Sequence, residues 1–177
     1  MTDPTILLLE IVKLVIPAAI VFATAYTILK TYLGKQYQLK LLETKNEVQK
    51  TTVPLKLQAY ERLTLLCERI SLPNLILRIK SPGMSAEDLH MALLIAVQQE
   101  FDHNISQQVY VSDNLWSIIK QARQHLINTI SATSTEINKD DPGSALADKL
   151  LTTYDESQEK PLETAQKAIR REASLLL

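Results

Sequence analysis

The stretch LVIPAAIVFATAYTIL, residues 14–29, decides how this chain is built. None of its sixteen residues is charged. As a helix it rises about 24 Å, a little short of the roughly 30 Å hydrocarbon core of a bilayer. Extending it to Ile6 and Leu33 gives ample length and adds Glu10, Lys13 and Lys30. Lys30 sits at the end, where its stem can lie along apolar surface while the ammonium reaches the headgroups. Glu10 and Lys13 are three apart and can meet on one helix face. Pro17 stands near the start, where a membrane helix tolerates it, and Tyr26 and Tyr32 suit the far interface. The expectation is a retained transmembrane helix with Leu14, Val15, Ile16, Ile20, Val21, Phe22, Ile28 and Leu29 facing lipid.

Two other readings fit the same stretch. Ala23-Thr24-Ala25 resembles a signal-peptide cleavage site, but the segment before it carries Asp3 and Glu10 against one lysine, where a signal peptide is basic. A buried core helix is disfavoured by the basic residues on its C-terminal side. Residues 30–52 carry five lysines, at 30, 35, 40, 45 and 50, against Glu43 and Glu47. Lys30, Lys35 and Lys40 form a basic collar that belongs on the cytoplasmic side, which puts the amino terminus outside and the remainder inside. The single Cys67 excludes an internal disulfide framework and suits a reducing compartment.

The collar runs into a helical stalk, residues 34–52. Leu33, Tyr37, Leu41, Thr44, Val48, Thr51 and Leu55 fall within about 80° of one another at 100° per residue. A stripe of that width can form a coiled-coil seam with a second copy or pack on the body. The lysines, five apart, scatter around the helix, with lipid attraction confined to the first two or three. Val53-Pro54 then predicts a break, Pro54 fitting the first turn of a new helix.

From residue 53 to 132 positive and negative charges balance, and apolar residues recur at helical spacing. Ala59, Leu63, Leu66 and Ile70 make a core stripe flanked by Tyr60 and Cys67. Leu57 and Leu65 fall on the other side among Gln58, Glu61 and Glu68, and read as a candidate docking pair for a partner. Ser71–Asn74 predicts a break, and Leu75–Ile79 is open between a helical turn and a strand. Ser85 with Asp88 predicts a capping box opening a helix to Asn104. Leu89, Met91, Leu93, Leu94, Ile95 and Val97 point all round that helix, which predicts a central, buried element. Val109–Val111 reads as a short strand or extended link. Ser112 then caps a helix carrying Leu115, Ile119, Ala122, Leu126 and Ile130 with Trp116 beside them. Residues 133–177 are net acidic and read as a linker to Gly143 and a looser tail of two helices, 144–154 and 161–177. The fold class is all-α: anchor 1–33, stalk 34–52, helical domain 53–132, linker and tail 133–177.

Little chemistry stands out. Three glycines cannot build a phosphate-cradling loop, and a net charge of −1 with only Arg170-Arg171 as a basic pair leaves no nucleic-acid surface. Glu87-x-x-His90 and Glu100-x-x-His103 match the Glu-x-x-His pairs of di-iron bundles. Thirteen residues of one helix separate them by about 20 Å, too far to share a metal pair. The expectation is therefore no catalytic residue, no cofactor and no metal. The chain reads as a non-catalytic, membrane-tethered interaction or accessory subunit of a larger assembly. Its contacts would come from Leu57, Leu65, Tyr37, Leu41, Val48, Glu10 and Lys13, with the bilayer, an unidentified protein or a second copy as partner. One alternative is a metal-binding or enzymatic domain using Glu100 and His103. Another is a signalling or defence component sensing a ligand near His90, His103 or Arg78.

Residues 54–63 (PLKLQAYERL), 68–70 (ERI), 82–85 (PGMS), 100–104 (EFDHN) and 110–112 (YVS) resemble an uncharacterised family of single-pass Bacteroidota membrane proteins. The resemblance covers roughly residues 1–130. It implies an anchor in a bacterial inner membrane and a helical cytoplasmic domain, and it carries no activity with it.

Overall fold

The computed structural model describes the backbone of residues 4–158 and 160–176, and their side chains except at 4–7, 10–12 and 46. Among the described residues six α-helices follow in order: α1 Pro4–Arg69, α2 Leu72–Ile79, α3 Ala86–Asn104, α4 Asp113–Ser134, α5 Gly143–Glu156 and α6 Pro161–Ala173. A 3-10 helix, Ile105–Tyr110, joins α3 to α4. Among the described residues there is no strand, only an isolated bridge between Ser85 and Pro142. The chain divides between Thr51 and Thr52 into two compact units.

The first unit is helical throughout its described residues and contains the uncharged stretch. This is the one helix among the described residues long and apolar enough to cross a membrane. Its most apolar eighteen-residue window has a mean hydropathy of 1.7, and none of that window is buried within the chain.

The second unit is built on a single apolar interior. From α1 it takes Ala59, Leu63, Leu66 and Cys67, with Ile70 just past its end, the stripe that the sequence spacing predicts. To these α2 adds Leu72, Leu75 and Ile76, α3 adds Leu89, Leu93, Val97 and Phe101, and α4 adds Leu115, Trp116, Ile119, Ala122, Leu126 and Ile130. Each leucine or isoleucine fully removed from water here contributes about 1.5–3 kcal/mol before chain entropy is set against it. Phe101 and Trp116 stack with ring centroids 5.3 Å apart, and the Arg123 guanidinium lies over the Phe101 ring, 4.4 Å from its centroid.

Five expectations change. The helix does not break at Val53-Pro54, because α1 passes through it. Proline removes one N–H and crowds the carbonyl four residues back. Here both Lys50 and Pro54 are exposed, so water can serve the freed carbonyl. The Ser71–Asn74 break shrinks to Ile70-Ser71, with Leu72 and Pro73 opening α2, where proline's missing N–H would be unpaired anyway. Val109-Tyr110, expected as a strand or extended link, ends the 3-10 turn, while Leu75–Ile79, left open between a helical turn and a strand, is helix. Helix α3 is one-sided, since Met91 and Ile95 are exposed. Finally, residues 133–177 are no looser appendage. Leu146, Ala147, Leu150, Ala165 and Ile169 are buried in the same interior, with Leu162, Ala173 and Leu176 packed against it.

Helix starts are set by side chains where the sequence predicts them. Ser85 and Asp88 form a reciprocal capping box, Asp88 N donating to Ser85 Oγ at 3.1 Å and Ser85 N to Asp88 Oδ2 at 3.2 Å. The Ser85 hydroxyl and amide hold the Asp88 carboxyl below its usual range. Ser112 Oγ accepts from Leu115 N at 3.2 Å at the start of α4. The openings of α3 and α5 are also joined through backbone. Gly143 N donates to Met84 O at 2.8 Å, Ala86 N to Asp141 O at 2.7 Å and Glu87 N to Lys139 O at 3.2 Å. A Cβ at Gly143 would lie 3.0 Å from Met84 O and 3.1 Å from Ser85 O, both backbone atoms that cannot swing aside. Gly143→Ala should therefore destabilise the second unit by about 1–3 kcal/mol, the range for overpacked sites. Thermal unfolding followed by circular dichroism checks it, and an unchanged midpoint would show that the α3–α5 junction gives way freely.

Candidate functional site

The residues singled out by the sequence separate into three environments. In the first unit the stretch 14–29 is open along its length, Leu14, Val15, Ile16, Ile20, Val21, Phe22, Ile28 and Leu29 ranging from 54% to 79% exposed. Its polar side chains are turned inward on their own helix. Thr24 Oγ1 donates to Val21 O at 2.9 Å and lies 3.0 Å from Ile20 O, Thr27 donates to Thr24 O at 2.9 Å and Thr31 to Thr27 O at 2.8 Å. Tyr37, Leu41 and Val48 are likewise exposed. On the same face, the Thr44 and Thr51 hydroxyls donate to Lys40 O and Glu47 O. Lys13 is exposed, while the pairing expected for it with Glu10 lies outside the described side chains.

The second environment gathers around Glu100. Arg78 Nη1 lies 2.6 Å and Arg69 Nη2 3.1 Å from Glu100 Oε1, and the Glu100 side chain is only 13% exposed. Arg78 Nη2 also donates to Arg69 O at 3.3 Å, covering a carbonyl at the end of α1. The ends of α1 and α2 are thus pinned to α3 by one carboxylate. His103, expected beside Glu100, is exposed, and Asn104 is buried with its amide donating to Glu100 O at 2.8 Å. Among the described residues there is no group of three or more His, Cys, Asp or Glu placed to hold a metal ion. His90 is mostly covered, its Nδ1 4.0 Å from Glu87 Oε2. The docking pair is divided, Leu57 packing against the interior while Leu65 stays exposed.

The third environment has no local signature in the sequence. Glu172 on α6 accepts from Ser112 N at 2.8 Å, from the Ser112 hydroxyl, and from Tyr60 Oη at 3.2 Å. A carboxylate at the start of α4 meets the positive end of that helix, so α6 supplies part of the cap of α4 and ties it to α1. Burial, and then the charge of Glu172 and its hydrogen bond, push the Tyr60 hydroxyl from its ordinary 10.0 to about 12. Burial, with Glu68 nearby, pushes the Cys67 thiol from 9.0 to about 12. A thiol so shifted is a packing group at neutral pH, because only the thiolate is nucleophilic.

These features define an all-helical protein that joins one apolar N-terminal helix to a bundle with a single core. The chain belongs to a family of unknown function, DUF7935, whose model matches residues 6–176. The match takes in the C-terminal helices, beyond the 1–130 covered by the resemblance seen in the sequence. No curated protein and no solved structure matches the chain.

The two raised values fix an alkaline limit. Both groups are neutral in the fold and would ionise earlier in the unfolded chain, so their contribution is fully present below about pH 9. It is lost from pH 9 upward for Cys67 and from pH 10 upward for Tyr60, until each folded value near 12 is passed. The melting midpoint should be level from pH 7 to 9 and fall above it, and Tyr60→Phe should flatten the part of the fall above pH 10. A fall of equal steepness in Tyr60→Phe would show that the tyrosine does not contribute.

Proposed function

We propose that the chain is a membrane-tethered, non-catalytic accessory subunit of the single-pass Bacteroidota kind its sequence resembles. Residues 14–29 would lie in the inner membrane, with the amino terminus outside and the helical bundle in the cytoplasm. The observation that carries this reading is the exposed apolar stretch itself. Eight large apolar side chains there have no cover from the rest of the chain, more than a soluble monomer leaves open in one place. A bilayer covers them, and the internal bonds of Thr24, Thr27 and Thr31 meet its demand that polar groups find partners within the helix. The lysine collar sets the orientation.

The face through Tyr37, Leu41 and Val48 is the contact surface on the stalk, and its occupant is a second copy in parallel register. Thr44 and Thr51 spend their hydroxyls on their own helix and so present methyl groups to that seam. Lys13 with Glu10 would serve a neighbouring membrane helix, and Leu65 remains the exposed apolar point on the bundle.

A reporter active only in the cytoplasm, fused after Leu177, should be active, and a periplasm-only reporter should be silent. Activity of the periplasmic reporter would overturn the orientation. An unanchored chain recovered in the soluble fraction would overturn the membrane reading itself. Leu41→Lys with Val48→Glu should dissociate the detergent-solubilised oligomer, since a seam held by apolar burial does not accept charge. An oligomer unaffected by the double change, or a monomeric starting protein, would remove the stalk from the contact surface.

A further inference from the structure

A cavity of about 240 Å³ lies inside the second unit between α4 and the α5–α6 connection. Leu72, Ala122, Leu126, Tyr154, Pro161 and Leu162 supply apolar walls. His125 and Lys160 also line it, and they differ from the walls in kind. His125 Nε2 is buried, and among the described residues it has no hydrogen-bond partner. His90 Nδ1 and Nε2 and Arg123 Nε are also buried and unpaired among the described residues, and His125 is the one of these that lines this cavity. Lys160 Nζ stands 5.3 Å from the Tyr154 ring centroid and 3.6 Å from Glu163 Oε1, with part of its side chain open.

We propose that this cavity binds a small carboxylate with an apolar body, about the size of one ring or a six-carbon chain. The size follows from the volume. A dry cavity of about 150 Å³ holds benzene, whereas drug-sized ligands need about 300 Å³ or more, so this space takes a ring plus one head group. The head group follows from the lining. With Nε2 protonated the His125 imidazole donates, as the Lys160 ammonium does, and a carboxylate is the compact acceptor that serves the two together. The apolar walls take the remainder of the molecule. The site uses neither the exposed stretch 14–29 nor the stalk face, so it stands whether or not the chain is membrane-anchored.

The chain has three histidines, His90, His103 and His125, which makes the imidazole signals a direct readout. The full chain in detergent is titrated with sodium benzoate, and separately with benzyl alcohol, while the ring carbon and proton signals are followed by NMR. Benzoate should shift the His125 signals saturably and leave those of His90 and His103 in place. Benzyl alcohol, lacking the charge, should bind at least about tenfold more weakly, as for loss of a charge-assisted hydrogen bond. Lys160→Met, at a partly open position, should weaken benzoate by a similar factor with an unchanged melting midpoint. His125→Gln assigns the signal by its loss, and benzoate binding followed by calorimetry should fall below saturation in that variant. No saturable shift at His125 below about 10 mM benzoate, equal binding of the alcohol, or equal shifts at all three histidines would each overturn the proposal.

Discussion

Burial of one face of the end of α1, continued by Ile70 just beyond it, is the contact on which the helical bundle rests. Ala59, Leu63, Leu66 and Ile70 are spaced at intervals of four and three, and all are essentially inaccessible to water. Such spacing keeps the side chains on one side of a helix for more than three turns, which is enough to seat several partners along it. Helix α2 comes after one turn, and its Leu72, Leu75 and Ile76 join the same interior. The remaining helices complete the enclosure. Helix α1 also contains the exposed stretch 14–29, so it carries open apolar side chains in the first unit and buried ones in the second.

Around this apolar centre two carboxylates fasten helix ends. Glu100 draws Arg69 and Arg78 to α3, and Glu172 draws Ser112 and Tyr60 to α6. Each works at a terminus, where a helix has backbone groups that its own ladder leaves unserved. Hydrophobic burial has little direction, and hydrogen bonds of this kind fix which helix ends lie together. The two clusters thus look like acid–base chemistry in composition while their geometry is that of fasteners.

Much of the architecture was legible in the sequence because it is set locally. The reciprocal bonds of Ser85 and Asp88 span three residues, and the cap at Ser112 reaches only to Leu115. The stripes on α1 and α4 follow from spacing alone. What could not be read depends on distant partners. Tyr60 and Glu172 are 112 residues apart, and Arg78 and Glu100 are 22 apart, with nothing in their immediate neighbours to announce a meeting. The acidic, proline- and glycine-marked segment from 133 to 143 reads as a linker by composition, yet its carbonyls engage the first turn of α3 and bring α5 into the core. Pro54 misled for the opposite reason: a strong local breaker is overridden where the helix on either side is long and the lost bond is open to water. Neither the histidine-lined cavity nor its size has a signature in the sequence, since Leu72, His125 and Lys160 come together only through packing.

The junction between α3 and α5 has a consequence for how such a chain can drift. Its bonds run from Gly143 to Met84, from Ala86 to Asp141 and from Glu87 to Lys139, all main chain to main chain. Of the side chains at 139–142, Lys139 adds an exposed ion pair, its Nζ 3.3 Å from Glu87 Oε1, so replacements there cost little provided the backbone path is kept. Length is another matter. Adding or deleting one residue between Asn138 and Gly143 would slide the acceptors past their donors and carry α5 out of phase with the interior. Relatives should accordingly vary freely in the letters of this segment and hardly at all in its number of residues, with glycine held at the point where two backbones come closest.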